Sequence, residues 1–504
     1  MLNNGRNFMI TRIKINGFKS LVDTELYLGP FTCIAGANAI GKSNFFDALT
    51  FLSNLADKTI IEAAKSVRSE NQKHSNIRDI FFRSGADYMS QISFEVDMLV
   101  PKFGIDDLGQ TAEAKITSLR YLLELKLNDE SNDKEPIEIT KEELKPITLT
   151  EARKNIFFEH SQEWTNSVIL GKRAGTPFIS TNEGIIKLHS DSKENKRGGR
   201  ATEFTAQKMP RTLISTVTAE SPTAFLVRQE MRNWTMLLFE PSALRQPNSI
   251  YEVKNAVITA NGLNLPATLF RLNSEKKEQD VYQKLTNKLK ELVEDVSEIA
   301  VNKDEQRDLL TLQVKFKSGL TLPAQSLSDG TLRFLGLAII EEDTSGSRLI
   351  CLEEPENGIN PKKILEMVDL LEGMATDTEF SVDEDNPLRQ VVINTHSPSV
   401  VSAVGDESLY LAKSKESFHE EFSKKITYTS FSALKNTWKT NLELAETTSL
   451  GEISAYLDTV AIETSNFNLV LENKAIYQKT HQRSGKKMTV AENALNYKLD
   501  FGSL

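Results

Sequence analysis

From Gly36 to Ser43 the chain reads GANAIGKS: two glycines with four residues between them, and lysine and serine directly after the second. The apolar run Phe31 to Ile34 leads into it, as a short strand would. From Asn44 on, Phe45, Phe46, Leu49, Leu52 and Leu55 recur at helical spacing, a stripe suited to packing on a sheet. Strand, glycine-rich turn and helix start aim backbone N–H groups and a helix dipole at one point, which suits a phosphate. The expected nucleotide contacts are therefore Gly36, Ala37, Asn38, Gly41, Lys42, Ser43 and Asn44. Lys42 is placed to bridge the outer phosphates of ATP, and Ser43 to offer its hydroxyl to Mg2+. An ordinary glycine-containing turn is the alternative, and the strand and helix around the motif argue against it.

Arg348 to Leu352 and Gln390 to Asn394 are short continuous apolar runs, the form of buried parallel strands, and the fold expected is α/β. The first delivers Glu353 and Glu354 at its C-terminal end, where ligands collect in such sheets. Glu353 is expected in the Mg2+ shell through water, and Glu354 as the general base that polarises the attacking water. Acidic strand ends also occur as plain solvated features, so the pair takes its meaning from the P-loop upstream. Leu327 to Gly330, LSDG, opens an apolar helix from Thr331 to Ile340, with Ser328 placed as its cap. The other reading is that this helix start and the Ser328 hydroxyl meet the γ-phosphate held by another copy, since the chain carries a single P-loop. His396 follows the second strand in NTHSP, where a neutral imidazole can hydrogen-bond the γ-phosphate and the water; a structural histidine is the alternative.

Taken in order, FKSL with GANAIGKSN, LSDGTLRFLGLA, LICLEEPENGINP and NTHSP resemble the ABC-type ATPase heads of the RecF, SMC and OLD group. The resemblance covers Ile10 to Met98 and Gly262 to Leu411. It implies a P-loop NTPase head that binds ATP and Mg2+ and self-associates, as a homodimer or higher oligomer. By resemblance Gly36 to Asn44 is the Walker A motif, and Leu327 to Gly330 the signature, with Ser328 and Gly330 on nucleotide. Glu353 and Glu354 form Walker B, Asn357 to Asn360 the D-loop, and His396 the switch histidine. Gln91, just before a strand, is the candidate Q-loop residue on the metal. Ala39, Asp329 and Glu353 depart from the group's usual glycine, glycine and aspartate. These departures leave nucleotide binding in place and bear on the rate of hydrolysis, since positioning is most of phosphoryl-transfer catalysis.

At 504 residues the chain can hold roughly two to four domains or lobes. The expected division is 1–100 and 263–412 for the two parts of the ATPase head, 101–262 for an irregular α+β insertion, and 413–504 for a mainly helical extension. Strand-like positions include Ile13 to Gly17, Leu26 to Leu28, Ile92 to Met98, Leu309 to Phe316 and Ser408 to Ala412, with an amphipathic helix over Asn273 to Val296. Cys33 and Cys351, the only cysteines, both fall in apolar runs, which argues against a disulfide framework and fits a reducing cytosol. No apolar run approaches the roughly 20 residues needed to cross a bilayer, and the start of the chain lacks the pattern of a secretory leader, so a cytoplasmic protein without membrane insertion is expected.

The net charge of −10 argues against a uniformly basic nucleic-acid binder, while Lys193, Lys196, Arg197 and Arg200, with Lys486 and Lys487, leave room for a local DNA or RNA contact. No DxD pair follows Gly405, and Asp383, Glu384 and Asp385 read as a solvated loop, so no nuclease site is expected in this chain. A head with an irregular insertion and a short extension resembles the ATPase subunits of bacterial antiviral systems, notably the Septu ATPase, which works with a separate HNH nuclease. A RecF-like repair ATPase and a nucleotide-gated scaffold with little hydrolysis are the alternatives. Leu442, Leu444, Leu450, Ile453, Tyr456 and Leu457 are the apolar positions that would line a partner-docking helix in the extension, or pack on the core.

Overall fold

The computed structural model describes residues 8–67, 76–106, 108–128, 136–171, 175–189, 191, 202–276, 280–344, 349–442, 446–449 and 452–453. In β1 (Met9–Asn16) buried Ile13 and Ile15 alternate with Arg12 and Lys14, so one face packs and the other carries charge. β2 (Thr24–Tyr27) pairs with it antiparallel. β3 (Phe31–Ala35) is buried at every position, the pattern of a strand covered on both faces, and it leads through a turn into α1 (Lys42–Leu55). The chain then returns to β1 with β4 (Gln91–Leu99), β5 (Ser118–Leu127) and β6 (Ile137–Pro146). Three short strands, β7 (Ile179–Asn182), β8 (Ile185–Leu188) and β9 (Thr202–Thr205), extend the far edge. The eight strands run β9-β8-β7-β6-β5-β4-β1-β2, antiparallel at every pairing.

The stretch from 101 onward, read from sequence as irregular, thus contributes two ten-residue strands to the N-terminal sheet. Its alternation is disguised in β6, where the register shifts between Ile139 and Lys141 and the buried positions beyond include Glu142 and Glu143.

α2 (Pro222–Arg232) precedes β10 (Thr235–Leu237). α3 (Leu265–Glu275) and α4 (Val281–Leu292) replace the single helix expected over Asn273 to Val296, because Asp280 accepts from Gln283 N (3.0 Å) and starts a new helix. The hairpin β11 (Val296–Asp304) and β12 (Leu309–Phe316) packs on them. α5 (Asp329–Glu342), β13 (Leu349–Glu353), α6 (Ile364–Met374), β14 (Gln390–Thr395), β15 (Leu409–His419), β16 (Lys424–Leu434) and β17 (Glu446–Thr448) complete the chain's second sheet and its cover. The order is β10-β13-β14-β3-β15-β16-β17, parallel from β10 to β15. β14 therefore lies between the P-loop strand and the strand that ends in Glu353. Glu353 stands opposite Asn394, and Thr395 opposite Ala35, so all three strand ends are level at one edge.

α1 lies between the two sheets: Phe45, Phe51 and Leu52 share a core with Ile15 and Phe94 of the first and with Ile34, Cys351 and Val392 of the second. The opposite face of the parallel sheet, with Cys33, Ile350, Leu352 and Ile393, is covered by α3, α4, α5 and α6. Cys33 and Cys351 are buried and unbridged.

Beyond Ala412 the described part of the extension is strand rather than helix. β15 runs on to His419 and β16 returns beside it, as the β-branched and aromatic run ITYTSF favours. Leu442 and Ile453 are buried, Ile453 within the core under the parallel sheet. Leu444, Leu450, Tyr456 and Leu457 lie outside the described residues, as do Lys193, Lys196, Arg197, Arg200, Lys486 and Lys487. Asp383, Glu384 and Asp385 lie in an exposed turn where the Asp383 carboxylate accepts from Asp385 N and Asn386 N. Among the described residues no helix is long and apolar enough to cross a membrane.

Candidate nucleotide site

The loop between β3 and α1 begins where Gly36 N donates to Thr395 O (3.2 Å), which ties it to β14. At Gly41, φ 98°, a Cβ would lie 2.4 Å from Thr429 Oγ1 and 2.5 Å from Ser20 Oγ, so only glycine fits. Thr429 comes from β16 and donates to Ile40 O (2.7 Å), while Ser20 Oγ is 2.6 Å from Thr429 Oγ1 and accepts from Asn44 Nδ2 (2.7 Å). The C-terminal hairpin thus braces the P-loop, a contact between residues some four hundred positions apart that no local pattern announces. Ala39 holds φ 63°, the left-handed backbone that glycine takes freely and other residues adopt at a cost of ~1–2 kcal/mol. Lys42 is 6% exposed and donates from Nζ to Gly36 O (2.7 Å) and Ala37 O (2.8 Å). Burial lowers its pKa, with Glu354, Glu356 and Glu353 acting against that. α1 has no side-chain cap and no acid in its first turn, so no capping side chain stands between its N-terminal dipole and an anion.

At the end of β13 the Glu354 carboxylate is gripped on both oxygens: Oε1 is 2.7 Å from His396 Nδ1 and Oε2 accepts from Asn357 Nδ2 (2.9 Å). Against a carboxylate oxygen, Nδ1 is the donor of this pair. Glu354 has φ 45°, and its N–H points back to Asn394, 3.0 Å from the carbonyl and 3.2 Å from Oδ1. Asn394 in turn donates from Nδ2 to Glu353 Oε1 (3.2 Å). Behind them Glu356 is 8% exposed and takes the Thr395 hydroxyl on Oε1; burial raises its pKa, and Oε2 is buried with no partner. Sequence reasoning did not single out Asn394 or Glu356. Their part shows only in the cross-strand register.

These groups meet in one cavity of about 680 Å³, lined by residues 38–44 of the loop, by Glu353, Glu354, Pro355, Asn357 and Asn394 at the strand ends, and by Leu237, Leu238, Phe239, Arg333 and Leu337. His396 reaches it through Glu354. Gln91 does not line it: it is exposed at the start of β4 with its amide on Glu124 (2.9 Å). The strand beside β13 is β10, and its exit at Leu237 to Phe239 lines the cavity instead.

Ser328 and Gly330 also stay out of this cavity. Ser328 caps α5 by accepting from Thr331 N (3.2 Å) and is exposed; Gly330 abuts Gly358, where a Cβ would lie 2.1 Å from the carbonyl oxygen. Asp329, in place of a signature glycine, binds Arg245 Nη2 (2.5 Å), which also donates to Leu327 O (2.9 Å).

A phosphate-seeking loop and a clamped carboxylate, level across one edge of a parallel sheet, define the core of a P-loop ATPase. The chain belongs to the AAA ATPase domain family, whose model matches residues 9–401, well over half its length. Solved structures similar to it include the SMC head bound to the C-winged helix domain of ScpA, at 12% identity and TM-score 0.41, covering 84% of this chain and 98% of that one. The SMC head domain from Thermotoga maritima, at 11% and 0.34, covers 84% and 98%. The Smc head with an extended coiled coil bound to the C-terminal domain of ScpA from Pyrococcus furiosus, at 10% and 0.40, covers 84% and 96%. Likenesses this loose add nothing to the reading of the site. No curated protein matches the chain.

Proposed function

We propose that the chain is an ABC-type ATPase subunit that closes on a second copy of itself around ATP and, through that closure, controls an effector nuclease in bacterial anti-phage defence. The hydrolytic part rests on one observation, the clamp on Glu354. A carboxylate held by His396 on one oxygen and Asn357 on the other is fixed in place to take a proton from an attacking water. Residues 38–44 and Lys42 would hold the phosphates, with the loop amides and the uncapped α1 start as donors. Mg2+, on the Ser43 hydroxyl and through water on Glu353, would neutralise phosphate charge. The donor set fits that group: a serine at the helix start and a carboxylate at a strand end, both lining the cavity.

Support for closure comes from the start of α5, where exposed Ser328 and buried Gly330 both lie outside the cavity of their own chain. The effector and the use of DNA or RNA follow the layout shared with antiviral ATPase subunits. Glu354→Gln keeps the side chain's size and removes the base, so turnover is expected to fall by roughly a hundredfold or more while ATP still binds. Phosphate release at the parent rate would remove Glu354 from the role. Pull-down of the tagged chain with the product of a neighbouring nuclease gene tests the defence part, and an absence of any association counts against it.

A further inference from the structure

Arg333 lines the same cavity from the layer opposite α1, one turn before Leu337 on α5. Its Nε is buried and has no acceptor, and no hydrogen bond or ion pair holds the side chain among the described residues. Other well-covered arginines each have guanidinium nitrogens engaged: Arg12 on Glu25, Arg120 on Asp97, Arg271 on Asp343, and Arg389, whose own Nε is also without a partner, through Nη1 and Nη2 on the carbonyls of Glu341 and Asp343. An unsatisfied buried N–H on a charged group is costly, so a guanidinium left in this state beside a cavity is waiting for an anion. The nearby carboxylates have other work, Glu354 with His396 and Asn357 and Glu353 with Asn394. With Lys42 at the start of α1, the cavity has cations on two opposite layers, an arrangement that suits an extended polyanion lying between them.

We propose that Arg333 binds the terminal phosphate of the nucleotide held by its own chain and thereby distinguishes ATP from ADP. The inference rests on the P-loop reading above and adds a regulatory link to it. Arg333 sits one turn from Ser328 to Gly330, and Gly330 touches Gly358 in the loop that carries Asn357, which grips Glu354. A terminal phosphate on Arg333 therefore bears on the start of α5 and on the clamp together, so the face that would meet a second copy is set by the nucleotide in the first.

The experiment compares ATP and ADP affinities by calorimetry in full-length protein carrying Glu354→Gln, so that turnover does not intrude, with and without Arg333→Ala. The expected result is ADP affinity within about twofold and ATP affinity reduced about tenfold or more, the loss of one charge-assisted bond. Arg333→Lys should recover part of it, and Arg333→Gln, of similar volume, should repeat the loss with an unchanged melting temperature. ATP and ADP weakened alike, or neither weakened, overturns the proposal while leaving the P-loop reading intact. A parent protein that binds neither nucleotide overturns both.

Discussion

Ala39 and Glu354 both hold left-handed backbone, at φ 63° and 45°. For Glu354 the strain is offset by bonds from every side, Asn394 on its N–H and His396 and Asn357 on its carboxylate, which is the way functional sites keep unfavourable geometry. No side-chain bond rewards Ala39. Ala39→Gly should therefore stabilise the protein by about 0.5–1 kcal/mol, the strain relieved less the entropy that glycine adds to the unfolded chain. Chemical denaturation reads this directly, and a loss of stability would show that the Ala39 methyl packs. Lys42→Ala removes the one cation folded over the loop and should lower ATP affinity at least about tenfold with the fold retained; calorimetry giving an unchanged affinity would remove Lys42 from the phosphates. The loop, the acidic pair and His396 were legible because each is a contiguous run whose chemistry follows from its own residues. Asn394, Glu356 and Arg333 were not, since an amide, an acid or a guanidinium takes its meaning from what strand order and helix packing place beside it. Gln91 fails for the same reason in reverse: near the P-loop in sequence, it belongs to another sheet.

Among elements, the hairpin of β15 and β16 was the least legible, because only its first strand reads as an apolar run, while β16 mixes threonine and serine with aromatic residues. Its hydroxyls are what it brings to the site. Thr429→Val keeps the shape and removes the bonds to Ile40 O and Ser20 Oγ, so the loop should lose about 1–2 kcal/mol of support. A few-fold drop in ATP affinity with little change in melting temperature is expected, and equal affinity would show the brace to be idle.

In β6, fully buried Glu142 accepts from Leu213 N (2.6 Å), Ile214 N (2.9 Å) and Tyr121 OH (3.1 Å), and so pins the turn next to Thr212, whose hydroxyl reaches Leu55 O at the end of α1. Burial outweighs these donors and pushes its pKa from 4.5 up to about 7. A raised carboxyl contributes stability that is whole below pH 4.5 and is lost as pH rises towards 7, on the order of 3 kcal/mol. The stability advantage of the parent over Glu142→Gln should thus shrink across that window and level off above it. A difference constant with pH, from denaturation curves at several pH values, would show that Glu142 titrates as an exposed acid does.

At the scale of the molecule, α1 is held between two sheets while α5 covers the other side of the parallel one, so the cavity is built where two separately packed layers meet at the strand ends. A ligand that bridges Lys42 and Arg333 joins those layers, and the exposed turn at Ser328 is the part free to report it outward. On the proposed function, ATP should convert Glu354→Gln protein from a smaller to a larger species in light scattering, because the trapped nucleotide holds both copies closed; Ser328→Arg, which fills the same turn with bulk, should abolish the shift while leaving ATP affinity within about twofold, as a contact made only across copies requires. The partner reading of the extension separates from this at Ile453, which is buried in the core and must be kept. Removal of 454–504 should then leave the ATP-dependent mass change intact and abolish capture of the effector nuclease, with nucleotide and partner coupled by roughly 1–3 kcal/mol in the full chain. Undiminished capture by the truncated protein would place the partner elsewhere, on the head itself, and loss of the mass change would show that the removed residues serve the closure rather than the partner.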